Sequence, residues 1–152
     1  MQAAPRHQVL QLWVRPASGE PPEVRDELAL RAGEGIVGDH AMGGKRHVTL
    51  IFQEDWNVAL LELGMVVPPV ARRANVLLSG GRGTRWIGKQ MRVGDCLLEI
   101  LDETRPCGLM EKTQAGLRKA LEPEGRGGVW GRILEGGLLK PGDRAERHAA
   151  GP

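Results

Sequence analysis

Cys107 lies in the segment Thr104-Arg-Pro-Cys-Gly-Leu-Met110, between a proline and a glycine. Pro106 fixes one backbone angle and Gly108 relaxes the next, so the thiol is expected at a bend rather than within a strand. An apolar strand-like run precedes this segment and a helix-like run follows it. The free N–H groups of that helix and the charge of Arg105 would favour thiolate, the form that attacks electrophiles and binds soft metals. The same local pattern also fits a buried structural cysteine. Cys96 alternates with Leu98 and Ile100 and reads as a core residue. The two cysteines lack CxxC spacing, which leaves a zinc site built from both without support.

Three polar clusters could converge on the thiol. Gly35 to His47 is glycine-rich and carries Asp39 and His40. Its backbone N–H groups could approach an anion, and Asp39 and His40 could orient one another or bridge strands. It fits neither GxGxxG nor the P-loop, and taken alone it better fits a structural turn. Arg72-Arg73-Ala-Asn75 combines guanidinium forks with an amide, a set suited to phosphate or carboxylate. A solvated basic turn is the plainer alternative. Arg126-Gly-Gly-Val-Trp-Gly-Arg132 offers two further arginines, and its glycines suit close strand packing.

The elements that must position these clusters are short. Gln8–Val14 alternates as a first strand and puts Val9 and Trp13 on one side. Glu23–Leu30 fits either a strand or a short helix, with strand preferred. Gly33 to Lys45, with five glycines, reads as one long loop. His47–Phe52 is a strand of β-branched and apolar residues. Glu54–Leu63 predicts a helix with Trp56, Ala59, Leu60 and Leu63 on one face, stopped by Gly64. Ala74–Leu78, Gln90–Val93, Cys96–Leu101 and Gly127–Leu134 read as strands. Glu111–Leu121 reads as one helix ended before Pro123, Gly136-Gly137 as a turn, and Asp143–Arg147 as a final edge strand. The pattern predicts one mostly-β domain with a core over about 8–147 and a disordered tail at 148–152. A small barrel would remove exposed strand edges.

Composition narrows the partners. Twenty-one Lys+Arg against 19 Asp+Glu give a net charge of +2, and only four Trp and one Phe supply aromatic faces. That balance argues against a nucleic-acid surface. No apolar run approaches the roughly 20 residues of a membrane-spanning helix, and the first residues lack the apolar segment of a signal peptide. A cytoplasmic location with reduced thiols is the expectation.

Taken together, Gly35-Ile-Val-Gly-Asp-His40 with Gly43-Gly44, Arg72-Arg-Ala-Asn75, Arg105-Pro-Cys107, Arg126-Gly-Gly-Val-Trp-Gly-Arg132 and Gly142-Asp143 stand in the order seen in the MOSC domain. The chain resembles a small stand-alone bacterial member of that family, over about Gly33 to Asp143. The resemblance implies a small MOSC-type β-barrel with a few peripheral helices. It also implies binding of a molybdenum-pyranopterin cofactor, with Cys107 as the molybdenum ligand or as a persulfide carrier of sulfur. Arg73 and Asn75 match the segment that meets the phosphate end of the pterin in reductase relatives. The cofactor-binding set is then Asp39, His40, Arg72, Arg73, Asn75, Thr104, Arg126, Gly127 and Gly128. No lysine site for pyridoxal phosphate is identified, so a cysteine desulfurase or an electron-transfer protein is the expected partner, beside a small N-hydroxylated substrate. The competing expectation is a small barrel that binds an anion without chemistry.

Overall fold

The computed structural model describes residues 7–149. Eleven strands are present in that range: β1 His7–Val14, β2 Glu23–Arg25, β3 Leu28–Arg31, β4 Gly35–Ile36, β5 Val48–Phe52, β6 Val76–Leu78, β7 Gln90–Val93, β8 Cys96–Glu103, β9 Val129–Glu135, β10 Gly137–Leu139 and β11 Arg144–Arg147. Three α-helices join them: α1 Gln53–Leu63, α2 Gly108–Thr113 and α3 Leu117–Leu121. Strands β11, β7, β8, β9, β5, β6 and β1 hydrogen-bond in that order, and β11 pairs back onto β1. The ring therefore closes as a seven-stranded barrel, antiparallel except where β5 runs parallel to β6. Closure leaves no free edge in the ring. Strand β2 attaches to β1, and β10, β3 and β4 form a small separate sheet.

Alternation sets the layers. Val48, Leu50 and Phe52 of β5 point into the barrel with Val76 and Leu78 of β6. Ile51 and Leu77 point outward and pack against Trp13. Strand β1 carries a register shift between Val9 and Gln11. One extra residue reverses the alternation, so Val9, Leu12 and Val14 face the interior and Trp13 faces out. The expectation that Val9 and Trp13 share a side fails for this reason.

Helix α1 follows its spacing. Trp56 and Ala59 are buried against Met110, Leu117 and Leu121 of α2 and α3, and Trp56 Nε1–H donates to the Val67 carbonyl at 2.9 Å. Gly64 ends the helix at φ 77°, a left-handed cap that glycine adopts without strain. Among the described residues no helix is long and apolar enough to cross a membrane.

Other expectations are corrected. Glu111–Leu121 is not one helix: α2 ends at Thr113 and α3 starts after Gly116, whose φ of 89° breaks the turn. Residues 23–31 form two strands, and the glycine-rich loop holds the short β4. Gly137 opens β10 instead of ending a turn, and β11 is bonded on both sides and is no edge. The expected disordered tail falls partly outside the described residues. Within them, the His148 N–H donates to the Gln90 carbonyl at 2.9 Å.

Candidate functional site

The end of β1, the Gly-rich loop and the turn before β6 meet at Asp39. Its carboxylate accepts from the Arg15 backbone N–H at 2.9 Å, from Arg15 Nε at 3.1 Å and from Arg15 Nη2 at 2.9 Å. The Ala41 N–H and Asn75 Nδ2 add bonds of 3.0 Å each. Burial pushes the Asp39 pKa up, but these bonds and the charge of Arg15 outweigh it and hold it below the usual carboxylate range. Asn75 is fully buried. Its Oδ1 accepts from the Thr49 N–H and hydroxyl at 3.0 Å each, while Nδ2 also donates to the Trp13 carbonyl at 3.3 Å. The amide's hydrogen-bonding capacity is thus used within the fold.

A second node is built on Arg72, in the 3₁₀ turn Pro69–Arg72. Its Nε donates to the Gly127 carbonyl at 2.5 Å, and Nη2 donates to the Thr104 hydroxyl. Thr104 Oγ1 in turn donates to the Gly127 carbonyl at 2.8 Å. The point is crowded: a Cβ on Gly127 would lie 3.0 Å from the Thr104 carbonyl oxygen and 3.4 Å from Arg72 Nε. Gly128, at φ 102°, leaves even less room, since a Cβ there would lie 2.2 Å from the Leu50 carbonyl oxygen.

Arg72 is a buried cation with neutral hydrogen-bond partners. Among the described residues no carboxylate pairs with it, and its Nη1 has no hydrogen-bond partner. Burial pulls its pKa down to about 10. The Cys107 charge acts in the opposite direction and favours the guanidinium, whereas Arg15 and Arg46 disfavour it. Cys107, Arg15 and Arg46 therefore each lie within electrostatic reach of Arg72. Arg46 also stands over the Trp130 ring, 5.3 Å from its centroid.

The thiols differ in burial as the sequence suggests. Cys96 is completely buried in the barrel, and burial, helped by the charges of Asp95 and Asp143, raises its pKa to about 11. Cys107 is exposed at the start of α2, and its side chain makes no capping hydrogen bond to that helix.

Asp39 and Asn75 thus share one network, and Arg72, Thr104 and Gly127 share another, with Cys107 beside it. The Thr104 N–H donates to the Gly128 carbonyl at 2.9 Å and fixes the strand leading to Cys107. Other members of the expected set lie elsewhere. His40 is exposed, and its ring makes no hydrogen bond to a described residue. Arg73 Nη2 donates to the Glu20 carbonyl at 2.6 Å. Arg126 forms a two-pronged pair with Glu62 at 2.6 and 3.0 Å, and Arg132 pairs with Glu99 at 2.5 Å. Arg15 and Arg46 were not singled out from sequence. The position of Arg15 at the end of an alternating strand, just before Pro16, was the available signal.

A family model for the MOSC domain matches residues 37–146. The chain belongs to the MOSC domain family. That family is associated with molybdenum cofactor binding or sulfur-related function. Among solved structures, the YuaD protein from Bacillus subtilis aligns at TM-score 0.80 and 21% identity, over 96% of this chain and 97% of that one. YiiM from Geobacillus stearothermophilus aligns at TM-score 0.76 and 19% identity, over 94% of this chain and 75% of its own. YiiM from Escherichia coli aligns at 0.72 and 17%, over 97% and 71%. At these identities the likeness is one of fold. No curated protein sequence matches the chain significantly.

Proposed function

We propose that this MOSC domain binds a molybdenum-pyranopterin cofactor, with the Cys107 sulfur as the protein's ligand to molybdenum. The supporting observation is Arg72: a buried guanidinium whose hydrogen-bond partners, Thr104 and Gly127, are neutral, with the cations Arg15 and Arg46 acting on it. A buried charge without a counterion is costly, and an anionic group placed between Arg72 and Arg46 would offset that cost. The donor set fits. Cys107 is an exposed soft ligand, and no group of three or more His, Cys, Asp and Glu among the described residues could cage a bare ion. A metal arriving with its own ligands needs only one sulfur from the protein. When bound, the cofactor supplies two-electron redox chemistry at molybdenum.

In this proposal Arg72 and Arg46 meet the anionic part of the cofactor, and Thr104, Gly127 and Gly128 hold Arg72 and the Cys107 segment in place. Asp39 and Asn75 support the site through Arg15 and Thr49. Arg73 and Asn75, which the resemblance assigns to the phosphate end, act here through the backbone and the buried network.

The exposure of Cys107 favours a second reading, sulfur carriage. An accessible thiolate can attack the terminal sulfur of a partner desulfurase's persulfide, forming a persulfide on Cys107 and releasing the partner's thiolate. A small molecule, an electron-transfer protein or a desulfurase is the proposed partner in the respective cases.

Alkylation of the native protein, with mass mapping of the labelled peptides, tests the shared element. Cys107 is expected to label quickly and Cys96 only on unfolding, and added cofactor should protect Cys107. Preferential labelling of Cys96, or unchanged labelling of Cys107 with cofactor present, contradicts the proposal.

A further inference from the structure

We propose that the chain carries a second ligand site, separate from Cys107, for a small phosphate-bearing molecule held by Arg82 and Arg85. The site is a cleft of about 490 Å³ between α1, the 3₁₀ turn Gly83–Trp86 and the 3₁₀ turn Pro123–Gly125. Cys107 and Arg72 are not among its lining residues.

The first observation is a pair of exposed arginines without ion-pair partners. The Arg85 N–H donates to the Arg82 carbonyl at 3.0 Å, which closes one turn and brings two arginines to the same cleft. Like charges one turn apart repel. Neither guanidinium hydrogen-bonds or ion-pairs with any described residue. The acids of the cleft, Asp55 and Glu124, do not ion-pair with them. Both Asp55 oxygens accept backbone N–H groups, from Arg82 at 2.7 Å and from Gly83 at 2.9 Å. The charge of Glu124 acts on Arg126, which is itself paired with Glu62. Thr84 lines the same cleft as the two arginines. A neighbouring hollow of about 100 Å³, lined by Arg85, Trp86, Lys89 and Arg147, extends the basic surface.

The second observation is conformational. Fourteen glycines and only three other described residues have positive φ. Two of those three, Arg82 at 56° and Glu124 at 54°, line this cleft. A side chain is disfavoured in that region, and glycine would relieve the strain. An arginine kept at the strained position, unpaired and facing a cleft, is explained by what its guanidinium binds. Guanidinium forks match phosphate oxygens in pairs.

Calorimetric titration of the full chain with inorganic pyrophosphate, at fixed ionic strength, tests the site. One equivalent is expected to bind, with affinity reduced at least tenfold in Arg82→Gly and in Arg85→Ala. Arg132→Ala removes the same charge elsewhere and should leave the affinity unchanged. Arg82→Gly should also raise the melting temperature while weakening binding, a combination that a structural role for the side chain would not produce. Absence of pyrophosphate binding, an equal loss in Arg132→Ala, or unchanged affinity in Arg82→Gly and Arg85→Ala overturns the proposal.

Discussion

Arg72 is buried, and the Cys107 sulfur lies within electrostatic reach of its guanidinium. That proximity ties the 3₁₀ turn before β6 to the segment after β8. It also explains why Thr104 and Gly127, both neutral, hold the guanidinium by hydrogen bonds: they fix its position and leave its charge uncompensated. The site's chemistry therefore depends on contacts between distant segments.

The Asp39 network carries a stability cost that can be measured. Asp39→Asn keeps the shape but removes the charge that holds Arg15. A loss of about 2–4 kcal/mol is expected, since one partner of a largely buried pair is left behind. The Asp39 pKa is lowered in the fold. Its contribution is therefore complete above the unfolded value of about 3.9 and lost as pH falls through the folded value. Denaturant unfolding between pH 7 and pH 3 should show a shallower acid limb in Asp39→Asn than in the wild type.

Cys96 gives the opposite limb. Its folded pKa of about 11 lies above the value of about 8.5 expected for an unfolded thiol. The folded state thus retains a proton that the unfolded chain releases, and stability falls as pH rises through this interval. A loss on the order of 3 kcal/mol is expected from that shift. The chain has no tyrosine to titrate in the same range. Unfolding curves at pH 8 and pH 10.5 should diverge more in the wild type than in Cys96→Ala, and the difference between the proteins isolates this thiol.

Gly128→Ala should be severely destabilising, by more than about 3 kcal/mol, because it combines a strained φ with backbone overlap at Leu50. Gly142→Ala has a similar φ of 94° and open space, and should lose only about 1 kcal/mol. Thermal unfolding of the two variants checks the contrast. Similar losses in both would show that the contact with Leu50 relaxes.

Local pattern made several features legible. The spacing of Trp56, Ala59, Leu60 and Leu63 marks α1, and the alternation of Cys96, Leu98 and Ile100 places Cys96 inside the barrel. Other features depend on partners far along the chain. That β11 closes the ring follows from its pairing with β1 and β7, and nothing in residues 144–147 signals two neighbours. The bulge in β1 shifts Trp13 outward although the sequence continues to alternate. Gly116 was a visible stop inside the expected second helix, outweighed there by the helix formers around it. At the site, residue types pointed to Asp39, Arg72 and Cys107. They did not separate Arg72, held by neutral groups, from the arginines bound to carboxylates, because Glu62 and Glu99, which hold Arg126 and Arg132, lie 64 and 33 residues away.

The most direct measurement is the molybdenum and sulfane-sulfur content of the protein purified from a host that makes the cofactor, compared with Cys107→Ser. Wild type is expected to carry molybdenum, or sulfane sulfur if carriage is its role. Cys107→Ser should lose both while keeping the wild-type circular dichroism and melting temperature, as an exposed side chain without hydrogen bonds predicts. Equal molybdenum and sulfur content in the two proteins would contradict the central role assigned to Cys107.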